Sequence, residues 1–377
     1  MSTVWTDALV VFLALCAVYS YFLYPLILML LPKREPGARN NDEPPSVTLI
    51  IAAHNEATRI EEKLANSLAI DYPADRFEIL VASDCSTDET DDIVERTEGV
   101  TLVRADQHLG KEYAQSLAVK AATGDILVFS DAATSVPVEA IRNLVDVFRD
   151  PTVGAVSSED RFITDDGVVA GEGLYVRYEM WLRAQESRLA GLVGLSGSFF
   201  AARASVCRDW DIVSPSDFNT ALNCARQDLV AVSSPAVVGI YKDIKNPVKE
   251  FQRKVRTVIR GMTAVARAPV VLSFSKMGWF EFQVWSHKIM RWLVPWFLLV
   301  LAVATLLVPK SPLGLLALIA QLLFYGAALM AWVAPVLRES CLMRVVFFFA
   351  QVNAAIGLAA IQFVRGKRIT TWKPSVR

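Results

Sequence analysis

The sequence lacks any cysteine pattern that metals or disulfides use. Its five cysteines (Cys16, Cys85, Cys207, Cys224 and Cys341) are scattered, with neither CxxC nor metal-ligand spacing. That argues against a zinc site and against a disulfide framework. Two of them lie in apolar or near-membrane segments, which fits a reducing compartment for the middle of the chain. An excess of charge is missing too: 38 Lys and Arg stand against 39 Asp and Glu in 377 residues. Nothing here draws the chain to nucleic acid, which is not expected as a partner. From Ala8 to Leu31 charge is almost absent. The apolar spans near the C-terminus carry no acid, which speaks against a transporter.

These apolar runs are what the chain has most of. At ~1.5 Å rise per residue, 8–31 is long enough to cross a bilayer. A cleaved signal peptide is disfavoured, because the run is long and no basic segment precedes it. Pro32-Lys33-Arg34 and Arg39 follow the run. By the positive-inside rule the N-terminus faces out and the next domain faces the cytoplasm; the expected location is the cell (inner) membrane. Three further spans are expected within 291–364, at about 291–309, 313–336 and 345–364. Residues 276–292 mix Trp279, Phe280, Phe282, Trp285 and Trp292 with His287, Lys288 and Arg291, as an amphipathic helix in the membrane interface does. Two rules disagree at the end of the chain. Three crossings put the C-terminus outside, whereas the basic tail 365–377, with Arg365, Lys367 and Arg368, prefers the inside.

Between 44 and 262 the pattern changes to short β-branched runs and amphipathic stretches. Strands are expected at Ser46–His54, Phe77–Ser83, Val100–Ala105 and Asp125–Ser130, with helices at Glu56–Leu68, Asp88–Thr97 and Lys111–Ala122. Such alternation makes an α/β domain with a mostly parallel sheet covered on both faces. Ligands of these sheets sit beyond the carboxyl ends of the strands. Four polar strand ends meet that description: 52–56, 83–88, Asp106 with Gly110-Lys111, and 130–134. Each also has an ordinary explanation, since Ser86, Thr87 and Asp88 suit a helix N-terminus and Gly110-Lys111 suits a solvated turn. Four at one edge are harder to dismiss.

These segments resemble the nucleotide-binding half of the family 2 glycosyltransferases. The likeness continues through Gly194–Arg203, Pro215-Ser216-Asp217-Phe218 and Phe251–Gly261, and the flanking spans resemble those of polysaccharide-synthase-like members. The resemblance implies a GT-A, Rossmann-like domain and a set of roles. Ala52, His54, Glu56 and Asp84 would hold the nucleotide, with a carboxylate accepting from a uracil imide to favour UDP, and Lys111 would lie near the donor. Asp131 would bind a divalent cation (Mg2+ or Mn2+) bridging to the diphosphate. Asp217 would be the base that takes the acceptor hydroxyl proton in an inverting displacement. Gly197 and Ser198 would admit the acceptor. Arg253 and Arg256 would face the diphosphate, although a basic helix face beside anionic lipid gives the same pattern.

Three positions depart from the family pattern. Ala133 stands where a second metal-binding acid is usual, Ser216 where an acid precedes the base, and Thr257 where processive members carry tryptophan. The expected function is transfer from a UDP-sugar to a lipid-linked or growing glycan at the cytoplasmic membrane face, among membrane lipids. Two alternatives stay open: a non-catalytic glycosyltransferase-fold subunit working with polysaccharide assembly partners, and a polyprenyl-phosphate sugar transferase.

Overall fold

The computed structural model describes residues 3–39, 43–163, 174–242, 247–273, 278–307 and 311–369. They fall into two compact units: Met1–Leu30, Asn246–Met262 and Val284–Arg368 form one, and Leu31–Lys245, Thr263–Gln283 and Ile369–Arg377 the other.

The second unit is built on a seven-stranded sheet of order β3-β2-β1-β4-β6-β5-β7. The strands are β1 (Val47–Ala53), β2 (Phe77–Ser83), β3 (Thr101–Arg104), β4 (Ile126–Asp131), β5 (Val153–Ile163), β6 (Phe199–Arg203) and β7 (Val230–Lys242). The first four are parallel, β6 runs antiparallel to both β4 and β5, and β5 is parallel to β7. All seven residues of β1 are buried, as the central strand of a sheet covered on both faces must be. Its side chains alternate between two cores. Leu49 and Ile51 pack with Val81 and Val128 on one side, and Ile50 packs with Leu80, Leu127 and Phe129 on the other. Truncating Ile50 or Ile51 to Ala is expected to cost about 2–5 kcal/mol of stability.

Register brings the strand ends to one edge. Ala52 lies beside Ala82 on β2 and beside Asp131 on β4, so His54, Asp84 and Asp131 leave the sheet together. Because β6 is antiparallel, with Phe199 opposite Ser130, its beginning meets that same edge and delivers Gly197-Ser198 there.

Several elements differ from the sequence expectation. The first helix covers Ile60–Leu68 and leaves Glu56 in the loop, where its backbone N–H donates to Thr90 Oγ1 at 2.8 Å. Arg34 is drawn into the second unit. It bonds Asp150 (3.0 Å), Thr152 (2.9 Å) and the Ser187 carbonyl (3.2 Å), and so fastens the chain after the first apolar run.

The first unit carries helices long and apolar enough to cross a membrane, at Val4–Leu30, within Trp279–Leu307, and at Pro312–Val333 and Cys341–Val364. The stretch expected as a separate interface helix at 276–292 runs on without a break into Met290–Leu307, through a π-turn at Val284–Ile289. Its residues 276 and 277 lie outside the described residues. The N-terminal helix packs Val10 and Leu13 against Leu301 and Ala304. Tyr19 and Ser20 bond Ser286, each at 2.9 Å. Leu306, Leu307, Leu323, Trp332 and Val333 point outward, an apolar surface suited to lipid rather than water.

Candidate active site

One end of the edge begins at Asp84. Its carboxylate is 1% exposed, with Oδ1 accepting from the Gly110 N–H at 3.2 Å. Gly110 has φ +107°, a backbone that side chains rarely adopt, and it starts the Lys111–Ala121 helix. His54 Nδ1 and His108 Nδ1 both lie on the Asp84 carbonyl, at 2.7 and 3.2 Å, and the two rings stack at 4.3 Å. Asn55 and Cys85, the residues after His54 and Asp84, both hold φ +54°. That left-handed backbone is costly for a cysteine, and such strain gathers where a loop is held for a purpose. Ala52 is buried within β1, so it offers a ligand its place in the strand and little surface. Glu56 is also buried and pairs with Arg59 at 3.1 Å.

The middle of the edge centres on Lys111. Its ammonium bonds Asp131 Oδ1 at 2.5 Å and the Gly197 carbonyl at 2.7 Å. Lys111 thereby cross-links the end of β4 and the loop before β6. The backbone adds to this link, since Asp131 N–H donates to the Ser198 carbonyl at 2.9 Å. Beneath lies Lys63, which bonds Ser130 Oγ at 2.8 Å and the Thr134 carbonyl at 2.7 Å. Burial pushes its pKa down to about 7, and the Asp131 charge opposes that fall.

Asp131 is one-fifth exposed. An ionised carboxylate accepts at about four lone-pair positions, so Lys111 does not exhaust it. Asp131 therefore keeps lone pairs to offer a hard dication, while Ala133 supplies no ligand atom.

The other end is Asp217, in the first turn of the Ser216–Arg226 helix, where a negative charge suits the helix dipole. Its Oδ1 accepts from the Phe218 N–H at 2.9 Å. A Cβ built on Gly197 would lie 3.4 Å from Asp217 Oδ2, so the missing side chain keeps the approach to this carboxylate open. On β5, Asp160 Oδ1 accepts from Ser196 (2.7 Å), Ser158 (3.0 Å) and Tyr241 (3.1 Å). Burial, reinforced by Asp160, raises the Tyr241 phenol and keeps it a donor. His108, Lys63 and Asp160 were not among the residues expected from sequence.

Arg253 and Arg256 lie in the first unit, on the Pro247–Arg267 helix. Arg256 is pushed below the usual guanidinium range by burial, then by repulsion from Arg260 and Arg253. That concentration of like charge suits an anion.

Known proteins resemble this chain. The family model described as Glycosyl transferase family 2 matches residues 48–210. A poly-beta-1,6-N-acetyl-D-glucosamine synthase of Staphylococcus aureus is 29% identical over 182 residues, 46% of this chain and 43% of the relative. A beta-monoglucosyldiacylglycerol synthase of Synechocystis sp. is 30% identical over 171 residues, 42% of this chain and 36% of the relative. The chain therefore spans less than half the length of these curated relatives. The mannosyltransferase PcManGT from Pyrobaculum calidifontis, solved with GDP-Man and Mn2+, superposes with a TM-score of 0.75 at 25% identity, covering 96% of this chain and 100% of its own. Sheet order and the likeness to PcManGT give a GT-A fold, within which residues 48–210 match the family 2 glycosyltransferase model.

Proposed function

We propose that the chain is an inverting glycosyltransferase that moves a sugar from a nucleoside diphosphate sugar to a lipid-linked or glycan acceptor at the cytoplasmic face of a membrane. The observation that carries the reading is the continuous edge from Asp84 through Lys111 and Asp131 to Gly197 and Asp217. Asp84 and His54 bind the nucleoside. Lys111 and Asp131 sit at the diphosphate. A dication held by Asp131 supplies charge stabilisation for the leaving diphosphate.

Asp217 takes the proton of the acceptor hydroxyl as that oxygen attacks the anomeric carbon. Gly197 and Ser198 shape the space the acceptor enters. The apolar helices suit an amphiphilic acceptor or a product that leaves through lipid, with Lys33 and Arg39 favouring a cytoplasmic domain. Domain limits of 44–262 for the catalytic part and 291–364 for the spans belong to this proposal.

UDP is the donor nucleotide we expect from a buried carboxylate at the base. A GDP-mannose donor is the second reading, favoured by the likeness to PcManGT along nearly the whole chain. The test is nucleotide release by the full chain in detergent, across UDP-sugars and GDP-mannose, with and without Mg2+ or Mn2+. Release with a single donor that Asp217→Asn abolishes supports the assignment. Nucleotide binding with no turnover on any donor and lipid extract would favour a non-catalytic assembly subunit instead.

A further inference from the structure

The nucleoside end of the edge holds two imidazoles against one buried carboxylate, more nitrogen than a base pocket needs. We propose that His54, Asp84 and His108 form a binding site for a borderline transition dication of the zinc class, distinct from the hard-cation position at Asp131. One ligand atom from each residue lies within 4.8 Å of the others, a spacing that small side-chain movements close onto a single ion. Asp84 Oδ2 is buried and receives no hydrogen bond, although His108 Nδ1 lies 3.0 Å away. A buried carboxylate oxygen without a donor is an unsatisfied acceptor that a cation satisfies.

The imidazoles are already oriented for this. A carbonyl oxygen only accepts, so His54, bonded through Nδ1 to the Asp84 carbonyl at 2.7 Å, carries its proton there and leaves Nε2 with a free lone pair, while His108 offers its Nδ1, 3.0 Å from Asp84 Oδ2, as the second nitrogen ligand. Metal-binding histidines are usually fixed in this way, by giving the other N–H to a backbone carbonyl. Two nitrogens and one oxygen favour zinc, nickel or cobalt over magnesium, which prefers oxygen alone. The stacked rings and the strained loop residues Asn55 and Cys85 hold this donor set between the ends of β1 and β2.

The consequence concerns regulation, and that part rests on the proposed placement of the nucleoside at Asp84. An ion ligated by Asp84 and His54 occupies the groups the nucleoside needs, so zinc-class ions compete with donor. The Asp131 position, built from oxygen, keeps its hard cation.

The experiment uses the full chain in detergent, purified without a polyhistidine tag. Zn2+ binding is measured by calorimetry, and Co2+ serves as a spectroscopic probe. One equivalent of Zn2+ is expected, undisturbed by Mg2+ in excess. His54→Asn and His108→Asn are each expected to weaken it roughly tenfold or more, the scale on which ligand-shell changes act. Their ion-free melting curves, matched to wild type, show that the fold is kept; Asp84→Asn is the further variant should either histidine change fail to fold. Full Zn2+ affinity in the variants overturns the site, and so does a thiolate charge-transfer band with Co2+, which would move the ion to a cysteine such as Cys85. Nucleotide binding to wild type is then titrated with Zn2+. A Zn2+ site that His108→Asn removes, coexisting with unchanged nucleotide affinity, leaves the metal site standing and refutes the nucleoside placement.

Discussion

The two ends of the strand-end edge are built differently. At one end, Asp84 is buried and its carboxylate is tied to the Gly110 N–H. At the other, Asp217 is only partly buried, and an absent side chain at Gly197 leaves space beside it. A fixed end and an open end suit the proposed enzyme, which would hold a small, constant nucleotide at the first and receive a large or varied acceptor at the second. Preorganisation lowers the cost of binding where geometry is known in advance. Lys111 joins the two ends, since one ammonium bonds both Asp131 and the Gly197 carbonyl.

The comparison is broken most severely at Asp217. Asp217→Asn keeps size and the bond to Phe218 N–H but removes the proposed base, and should lower kcat by about 10²–10⁴-fold, the range of general base catalysis. Nucleotide affinity should stay within about twofold, because a change at the open end should not reach the closed one. A comparable loss of nucleotide binding, measured by calorimetry, would show that the ends are not separable.

Asp131→Ala comes next. It removes the one carboxylate available to a hard cation at the end of β4, and activity should fall by roughly 10²-fold, a few kcal/mol of charge stabilisation. Mg2+ or Mn2+ should cease to strengthen nucleotide binding. Lys111→Met follows with a smaller loss. Its effect should be non-additive with Asp131→Ala by about 0.5–3 kcal/mol in a double-mutant cycle, as for residues sharing one ion pair. Additive losses would sever the link proposed between the two ends. Gly197→Ala should act more gently, raising acceptor KM severalfold with little change in donor KM, since the new Cβ meets the Asp217 carboxylate at contact distance.

The parts of this architecture that the sequence displays are local ones. β2 lies at the expected Phe77–Ser83, and β1 and β4 within a residue of expectation, because a doubly covered parallel strand is a compact apolar run bounded by polar residues. β5, β6 and β7 escaped that reading. Ser157, Ser158, Glu159 and Asp160 interrupt β5, and β6 is inserted between β4 and β5 by a long-range antiparallel pairing that no short window contains. The same holds for residues at the site. Asp84, Asp131 and Asp217 are visible as acids at strand or helix ends. Lys63 follows Glu61-Glu62 and looks like solvent-facing charge. Yet it shares the helix face of Ile60, Leu64 and Ser67, all buried, and that spacing was the available signal. His108 sits in the irregular loop after β3, where no periodicity operates, and its stacking on His54 is a tertiary fact.

Lys63 supplies the finest test of the closed end. Its ammonium lies under β4, and with a pKa near 7 its charge is present below neutrality and lost above it. The direction for cation binding follows. Below about pH 7 the protonated Lys63 adds to the Lys111 charge and opposes a dication at Asp131; above it, the neutral amine still bonds Ser130 and Thr134 but the opposition is gone. Mn2+ affinity in the presence of nucleotide should therefore rise severalfold between pH 6 and 8, roughly what removing one partly screened charge is worth at an effective dielectric near 20. Lys63→Met deletes the titrating group and should flatten that part of the profile, whereas Lys111→Met should keep the slope and shift the whole curve. A profile that retains its rise in Lys63→Met would assign the titration to another group and leave Lys63 a purely structural tie between its helix and β4.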